Sequence, residues 1–141
     1  MAQRLGADRF GTIVGRKIHG RSSITVYPAP APPAPSRFVQ VSPQGSYERE
    51  DWKRQIEQQL RESGVQELPP GPVRLAIRYR LGPGRNWAAL WKPTIDSLTP
   101  LLGTDHPGTF NLRDGRITRL ELHQRVDPTL RHEVIVDLWW N

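Results

Sequence analysis

The stretch of residues 82–102, GPGRNWAALWKPTIDSLTPLL, constrains the fold more than any other part of the chain. It starts with a glycine-rich turn, and its apolar side chains then recur every three or four residues, which places them on one face of a helix. These apolar residues are Trp87, Leu90, Trp91, Ile95, Leu98 and Leu102. Because proline lacks the amide hydrogen that an interior helical residue donates, Pro93 predicts that the helix begins near Leu90. We therefore predict a helix over residues 90–102.

A strand is predicted immediately before this unit. Residues 73–81, VRLAIRYRL, alternate between apolar side chains and side chains that are mostly arginine. Since successive side chains of a strand point to opposite faces, the alternation gives one core face and one basic face. The basic face carries Arg74, Arg78 and Arg80.

The other elements follow from the same two periodicities. A first helix is predicted over residues 47–63, where apolar residues recur at every fourth position, with Ser46 as its cap. Further strands are predicted over residues 22–27, 117–126 and 132–140, the last two as an antiparallel hairpin. The predicted fold class is α+β, with a mixed sheet of about four strands and two helices.

The length of 141 residues is that of one domain. Residues 1–21 mix glycine, arginine and short apolar pieces, which indicates a variable N-terminal arm that includes at most a short strand near Ile13. Residues 22–141 are expected to form the domain. The proline-rich residues 28–35 predict an extended connection outside regular structure.

The composition limits the classes of partner and chemistry. Twenty lysine and arginine residues against 14 acidic residues give a net charge of +6, which favours an anionic partner. The chain has no cysteine, which excludes disulfides, a thiolate nucleophile and cysteine-ligated zinc. No apolar run approaches the roughly 18 residues of a membrane span, and no signal-peptide core is present. We therefore expect a soluble, cytoplasmic protein without a membrane partner.

Four features occur in a characteristic order. A strand runs into a proline-rich loop, the turn VSPQG precedes a helix, the helix pattern L-x-K-P-x-x-D-x-L begins at Leu90, and Asp114 shortly precedes a strand. This order resembles the RusA family of Holliday-junction resolvases over most of the chain after Arg21. The resemblance implies a small homodimeric nuclease that uses Mg²⁺ to cut four-way DNA junctions. It also implies a D-x-D-N metal-binding motif at the helix start and a further aspartate after the following loop.

The chain departs from the family at these ligands. The family positions are occupied by Lys92 for the lysine, Asp96 for the helical aspartate, Asn86 and Ala88 for the aspartate pair, Ala89 for the asparagine and Asp114 for the last aspartate. Mg²⁺ prefers carboxylate oxygens, so an amide and a methyl group in place of two carboxylates predict weak binding at Asp114 alone. Mg²⁺ is expected as a cofactor only if the chain is active, and Lys92, Asp114 and Asp96 are then the catalytic candidates.

The same residues also have structural interpretations that involve no catalytic or binding role. Asp96 follows Lys92 by four residues, so an ordinary helical ion pair explains both without a function. In the family interpretation, Lys92 instead faces a phosphate. Asp105 and His106 in the following loop could join Asp96 and Asp114 in a transition-metal site, but a solvated loop is the simpler interpretation.

The cationic residues near the family site are the predicted DNA contacts, because a guanidinium fork suits phosphate oxygens. They are Arg78, Arg80, Arg85, Lys92, Arg113 and Arg116. A solvated strand face is the alternative for the first two. The pair Trp139 and Trp140, in a chain with five tryptophans, indicates the seam of a homodimer, which would double the basic surface.

Three function classes remain open. The first is a RusA-like DNA-binding protein that recognises branched or duplex DNA as a dimer, with lost or impaired nuclease activity. The second is an active, divergent, Mg²⁺-dependent crossover-junction endodeoxyribonuclease that uses Asp96, Asp114 and a loop residue. The third is a structural or interaction protein that keeps only the dimeric fold. Salt-dependent junction binding separates the third class from the others, and metal-dependent cleavage separates the second from the first.

Overall fold

The computed structural model describes residues 12–18, 21–27, 38–104 and 114–141. Within these ranges, six strands form one mixed sheet and three short helices accompany it, so the predicted α+β class is confirmed. The sheet has more strands than the expected four, because two segments without a strong strand pattern also pair into it. None of the helices in these ranges is long and apolar enough to cross a membrane.

The segment of residues 73–81, in which apolar side chains alternate with side chains that are mostly arginine, forms a central strand of the sheet. The strands are β1 (Thr12–Ile18), β2 (Arg21–Tyr27), β3 (Val39–Val41), β4 (Val73–Leu81), β5 (Ile117–Val126) and β6 (Val134–Trp140). Their order across the sheet is β2-β1-β5-β4-β6-β3. β4 pairs in parallel with β5 and antiparallel with β6, and the other neighbouring pairs are antiparallel. The parallel pair is the one that requires long connections between strands.

The predicted hairpin of β5 and β6 is wrong, because β4 lies between these two strands. The connection from β5 to β6 crosses the end of β4, where the Asp127 amide donates a hydrogen bond to the Leu81 carbonyl at 2.9 Å. A Cβ atom on Gly82 would lie only 2.3 Å from the Leu130 carbonyl oxygen. The crossover therefore packs directly onto the end of β4, at a position that has no side chain.

Part of the predicted N-terminal arm belongs to the sheet. Residues 12–18 form β1, which lies between β2 and β5 and pairs with both. The segment is thus an interior strand rather than an arm. Residues 1–11 and the proline-rich residues 28–35 lie outside the described residues.

The first helix, α1 (Glu50–Glu62), begins three residues later than predicted. Ser46 does not cap it. The Ser46 carbonyl accepts the Arg49 amide at 3.1 Å, and its hydroxyl oxygen lies 3.4 Å from the Glu48 nitrogen, so Ser46 closes a turn before the helix. The inward face is as predicted, with Trp52, Ile56 and Leu60 buried.

The single helix predicted over residues 90–102 is divided. The chain forms a 3₁₀ turn (Trp87–Leu90), α2 (Trp91–Asp96) and α3 (Thr99–Leu102). Pro93 lies in the first turns of α2, as predicted, whereas Pro100 occupies the first turn of α3. In one continuous helix, Pro100 would clash with the carbonyl group of Asp96. The apolar periodicity is preserved across the break, which is why it predicted one helix.

The hydrophobic core lies between the helices and one face of the sheet. Leu75, Ile77 and Tyr79 of β4 are buried there with residues of all three helices. The Tyr79 hydroxyl donates to the Thr94 hydroxyl at 2.8 Å, which in turn donates to the Leu90 carbonyl at 2.7 Å. Burial raises the pKa of Tyr79 far above its ordinary value, so its hydroxyl stays a donor. We call the opposite face of the sheet, which carries Arg74, Arg78 and Arg80, the basic face.

Candidate nucleic-acid interface

Three charged side chains meet where α1 packs against α2. The Lys92 ammonium nitrogen lies 2.8 Å from Asp96 Oδ1, and the Lys53 ammonium nitrogen lies 3.5 Å from Asp96 Oδ2. The Lys92 side chain is 60% exposed and that of Asp96 is 24% exposed. We call these three residues the Lys–Asp–Lys cluster. With two ammonium groups and one carboxylate, the cluster carries a net positive charge.

The cluster confirms the helical ion pair and adds a partner that sequence reasoning missed. Lys53 lies 43 residues before Asp96, and its only signal in the sequence was its place on the solvated face of α1. A carboxylate between two ammonium groups makes a poor ligand for a divalent cation, because both lysines occupy its oxygens and repel the incoming charge. The net positive charge of the cluster instead favours an anion beside it.

The positions of the family aspartate pair do not supply carboxylates either. Asn86 is exposed and immediately precedes the 3₁₀ turn. Ala88 is 4% exposed, so its methyl group is part of the packed interior, and Ala89 is half-buried. Ala88 and Ala89 therefore contribute to packing, and Asn86 places one exposed amide before the 3₁₀ turn.

The remaining acidic candidates fall near or within the loop before β5. Asp114 opens the 3₁₀ turn Asp114–Arg116, which leads directly into β5. Asp105, His106 and Arg113 lie outside the described residues. Among the residues that the structure describes, no group of three histidine, aspartate or glutamate side chains converges as a metal site.

Arg78 is not available to DNA, contrary to the prediction. It is 6% exposed, and its Nε and Nη2 donate to Asp137 Oδ2 at 2.9 and 2.7 Å. Arg80 joins the same network, with Nε 3.5 Å from Asp137 Oδ2, and Gln40 donates to Oδ1 at 2.9 Å. The carboxylate is fully buried on β6, directly opposite Arg78. These arginines neutralise Asp137 inside the protein.

Arg116 also has a structural role in place of the predicted DNA contact. Its guanidinium donates to the carbonyl groups of Gly71 at 3.0 Å, Leu102 at 2.9 Å, Leu68 at 3.4 Å and Pro69. These bonds tie the start of β5 to the loop before β4 and to the end of α3. Four of the five N–H donors of this guanidinium are therefore directed to backbone carbonyl groups of the protein itself.

Lys92 is the predicted DNA contact that is exposed in the described ranges, whereas Arg80, Arg85 and Arg116 are half-buried. The Arg85 side chain makes one hydrogen bond to the described residues, from Nη1 to the His132 carbonyl, and it is long at 3.5 Å. Trp91, next to Lys92 in α2, is 37% exposed, the largest exposure of a tryptophan side chain in these ranges. The accessible surface around α2 is therefore cationic with an aromatic ring beside it.

Comparisons with protein-family models, with curated proteins and with solved structures gave no match. Function is therefore inferred from the side chains and their geometry.

Proposed function

We propose that this chain is a RusA-like DNA-binding protein that acts in the cytoplasm, binds branched or duplex DNA as a homodimer and has lost or impaired nuclease activity. The Lys–Asp–Lys cluster carries the proposal. Asn86 and Ala88 stand where the family pattern requires two carboxylates for Mg²⁺, and in the helix that follows, the Asp96 carboxylate is paired with two ammonium groups. Such a site attracts phosphate oxygens and repels Mg²⁺.

The surroundings of the cluster fit a nucleic-acid backbone. Lys92 extends into solvent, and Arg85, shortly before the 3₁₀ turn, adds a half-buried cation beyond the two lysines of the cluster. The exposed ring of Trp91 offers a surface on which an unpaired base can stack. Positioning phosphates by charge requires no metal, so this surface supports binding without cutting.

Salt-dependent binding to a four-way junction and to a duplex of matched sequence tests the DNA-binding part. Lys92→Ala is expected to weaken binding on both DNAs and to lower the slope of log K against log salt by about one. Arg61→Ala is the matched control, because Arg61 is 61% exposed and pairs with Glu57 at the same helical spacing. The control is expected to bind DNA as the unmodified chain does. Absence of DNA binding at low salt would favour an interaction protein that keeps only the fold.

Incubation of the junction with Mg²⁺ or Mn²⁺ tests the loss of cutting. We expect no metal-dependent cleavage, and no micromolar Mg²⁺ binding by calorimetry, because Asp96 is already paired with two lysines. Cleavage that is abolished by Asp96→Asn or Asp114→Ala would overturn this part of the proposal in favour of the divergent nuclease.

The homodimer is proposed together with this function. Trp139 and Trp140 are each half-buried by their own chain, so a partner would cover only the rest of their surface. Sedimentation equilibrium at micromolar concentration is expected to give the mass of two chains. The mass of one chain would contradict the dimer, and the DNA-binding proposal would then rest on the Lys–Asp–Lys cluster alone.

A further inference from the structure

Three arginines form a row across β1, β5 and β4. Arg119 is paired with Arg16 on one side and with Arg74 on the other. An irregularity in the β4–β5 ladder sets this register, since Val73 pairs with Ile117 but Arg74 pairs with Arg119. Like charges directly opposite each other destabilise a sheet. An anion bound beside these arginines would reduce the repulsion between them.

The row is only partly neutralised by the protein. Glu121 Oε1 lies 2.7 Å from Arg119 Nη2, which pairs the central arginine. Arg74 and Arg16 are exposed, and neither forms a side-chain hydrogen bond or an ion pair with other described residues. Two guanidinium groups thus flank a neutralised pair and have their donors free for an anion.

A groove of about 240 Å³ opens beside Arg74 and Arg119, and the end of β6 forms its other wall with Trp139 and Trp140. The Trp139 ring stacks on the His123 ring with centroids 5.8 Å apart and planes at 13°, which fixes the orientation of the indole. The volume lies below the roughly 300–1,000 Å³ of sites for drug-sized ligands. The groove therefore suits one small unit that combines negative charge with a flat ring.

We propose that this groove binds one nucleotide unit, with its phosphate on Arg74, whose donors are free, beside the Arg119–Glu121 pair, and with its base against the tryptophan wall. The guanidinium fork donates two parallel hydrogen bonds to phosphate oxygens, and the face of an indole stacks on any base. A free mononucleotide and the terminal nucleotide of a DNA strand both supply this chemistry. The groove opens at the basic face, away from the Lys–Asp–Lys cluster on the helix side, so the inference goes beyond the proposed function and does not rest on it. Nucleotide binding requires that the groove face of Trp139 stays open to solvent, so a homodimer would then form through another surface.

Calorimetric titrations with dAMP, deoxyadenosine and inorganic phosphate separate the two contacts. We expect dAMP to bind about tenfold or more tightly than either fragment, because phosphate and base contribute separately. Arg74→Ala is expected to weaken dAMP binding about tenfold. The matched control Arg54→Ala removes an arginine that is 64% exposed on α1, and the affinity for dAMP is expected to stay unchanged. Inorganic phosphate that binds as tightly as dAMP, or an unchanged affinity in Arg74→Ala, would overturn the proposal.

The indole N–H signal of Trp139 gives a test that needs no loss of affinity. Trp139→Phe assigns the signal in a two-dimensional NMR spectrum, and dAMP is expected to shift it, whereas an unmoved signal at saturating dAMP would overturn the proposal. Competition of a 5′-phosphorylated single-stranded overhang with dAMP would identify the strand end as the source, and dAMP binding without such competition would identify the free nucleotide. Lys92→Ala is expected to leave dAMP binding unchanged, so the two proposed sites fail separately.

Discussion

Asp137 shows how one buried residue determines the chemistry of a whole surface. Its carboxylate is fully buried and accepts hydrogen bonds from Arg78, Arg80 and Gln40. A buried carboxylate persists only when charges and donors compensate its lost hydration. Arg78 and Arg80 of the basic face are consequently paired with Asp137. Arg74, near the start of β4, remains exposed and forms no ion pair with other described residues.

Asp137→Ala is expected to lower the free energy of unfolding by about 3–5 kcal/mol, because it leaves the Arg78 guanidinium buried without its charge partner. Urea unfolding at neutral pH measures this change. The control is Glu50→Ala, which removes a 58% exposed partner of Arg54 and is expected to cost less than about 0.5 kcal/mol. Equal effects of the two substitutions would contradict the structural role of Asp137.

Stability is expected to fall on mild acidification because of His123. Burial lowers the pKa of this imidazole, the neighbouring Glu121 carboxylate partly opposes the shift, and Arg78 adds to it. The unfolded chain takes up a proton at about pH 6.5, whereas the folded chain does so only at lower pH. The unfolded state therefore binds more protons below about pH 6.5, and the free energy of unfolding decreases as pH falls through that value.

Urea unfolding at pH 8 and pH 5.5 measures this dependence. His123→Gln is expected to reduce the difference between the two pH values, while the control His132→Gln, at an exposed histidine, retains it. A free energy of unfolding that rises between pH 8 and pH 5.5 in the unmodified chain would disprove the role of His123.

At the scale of elements, the connection from β5 to β6 is shaped by the strand that it crosses. The Asp127 carboxylate accepts the Thr129 amide at 2.9 Å and the Thr129 hydroxyl at 2.6 Å, which closes a turn and lowers the pKa of Asp127. The Leu130 amide then donates to the Asp127 carbonyl at 3.1 Å. The turn presses the Leu130 carbonyl against Gly82 at the end of β4.

Gly82→Ala is expected to destabilise the protein by about 1–3 kcal/mol or more, because the added methyl group would lie 2.3 Å from one backbone oxygen and 3.2 Å from another. The control is Gly115→Ala, where nothing lies within 4 Å of the added atom. Thermal unfolding of both variants measures the effect. Identical midpoints would mean that the crossover does not pack against Gly82.

At the scale of the whole molecule, the sheet extends further toward the N-terminus than a domain of residues 22–141 would allow. β1 has a neighbour on each side, and Val14 is 7% exposed on the basic face, beside Glu121. An interior strand is part of the cooperative unit, because removing it turns β5 into an unpaired edge.

A chain that starts at Arg21 is therefore expected to be less stable than the full chain. The five residue pairs between β1 and β5 contribute roughly 0.2–1 kcal/mol each, so the loss is about 1–5 kcal/mol, accompanied by aggregation through the new edge. Urea unfolding and size-exclusion chromatography measure both effects. If the shortened chain has full stability and elutes like the unmodified chain, residues 12–18 are a variable arm that the fold does not require.

Local periodicity in the sequence determined the elements and their faces. The alternation in VRLAIRYRL predicted β4 with its two faces, and the four-residue spacing of Trp52, Ile56 and Leu60 predicted the buried side of α1. The ion pair of Lys92 and Asp96 was predicted from helical spacing as well. Each of these properties depends on residues a few positions apart, so the pattern contains the cause.

Only the tertiary structure decided which distant residues meet. Asp137 lies 59 residues after Arg78, and Asp96 lies 43 residues after Lys53, so no local pattern joins either pair. The alternation of β4 likewise did not indicate that β5 and β6 would pair on opposite sides of it. An arginine in a strand has the same sequence signal whether it faces a buried carboxylate or solvent. Its availability for DNA is set by packing across the sheet, which is a property of the folded chain as a whole.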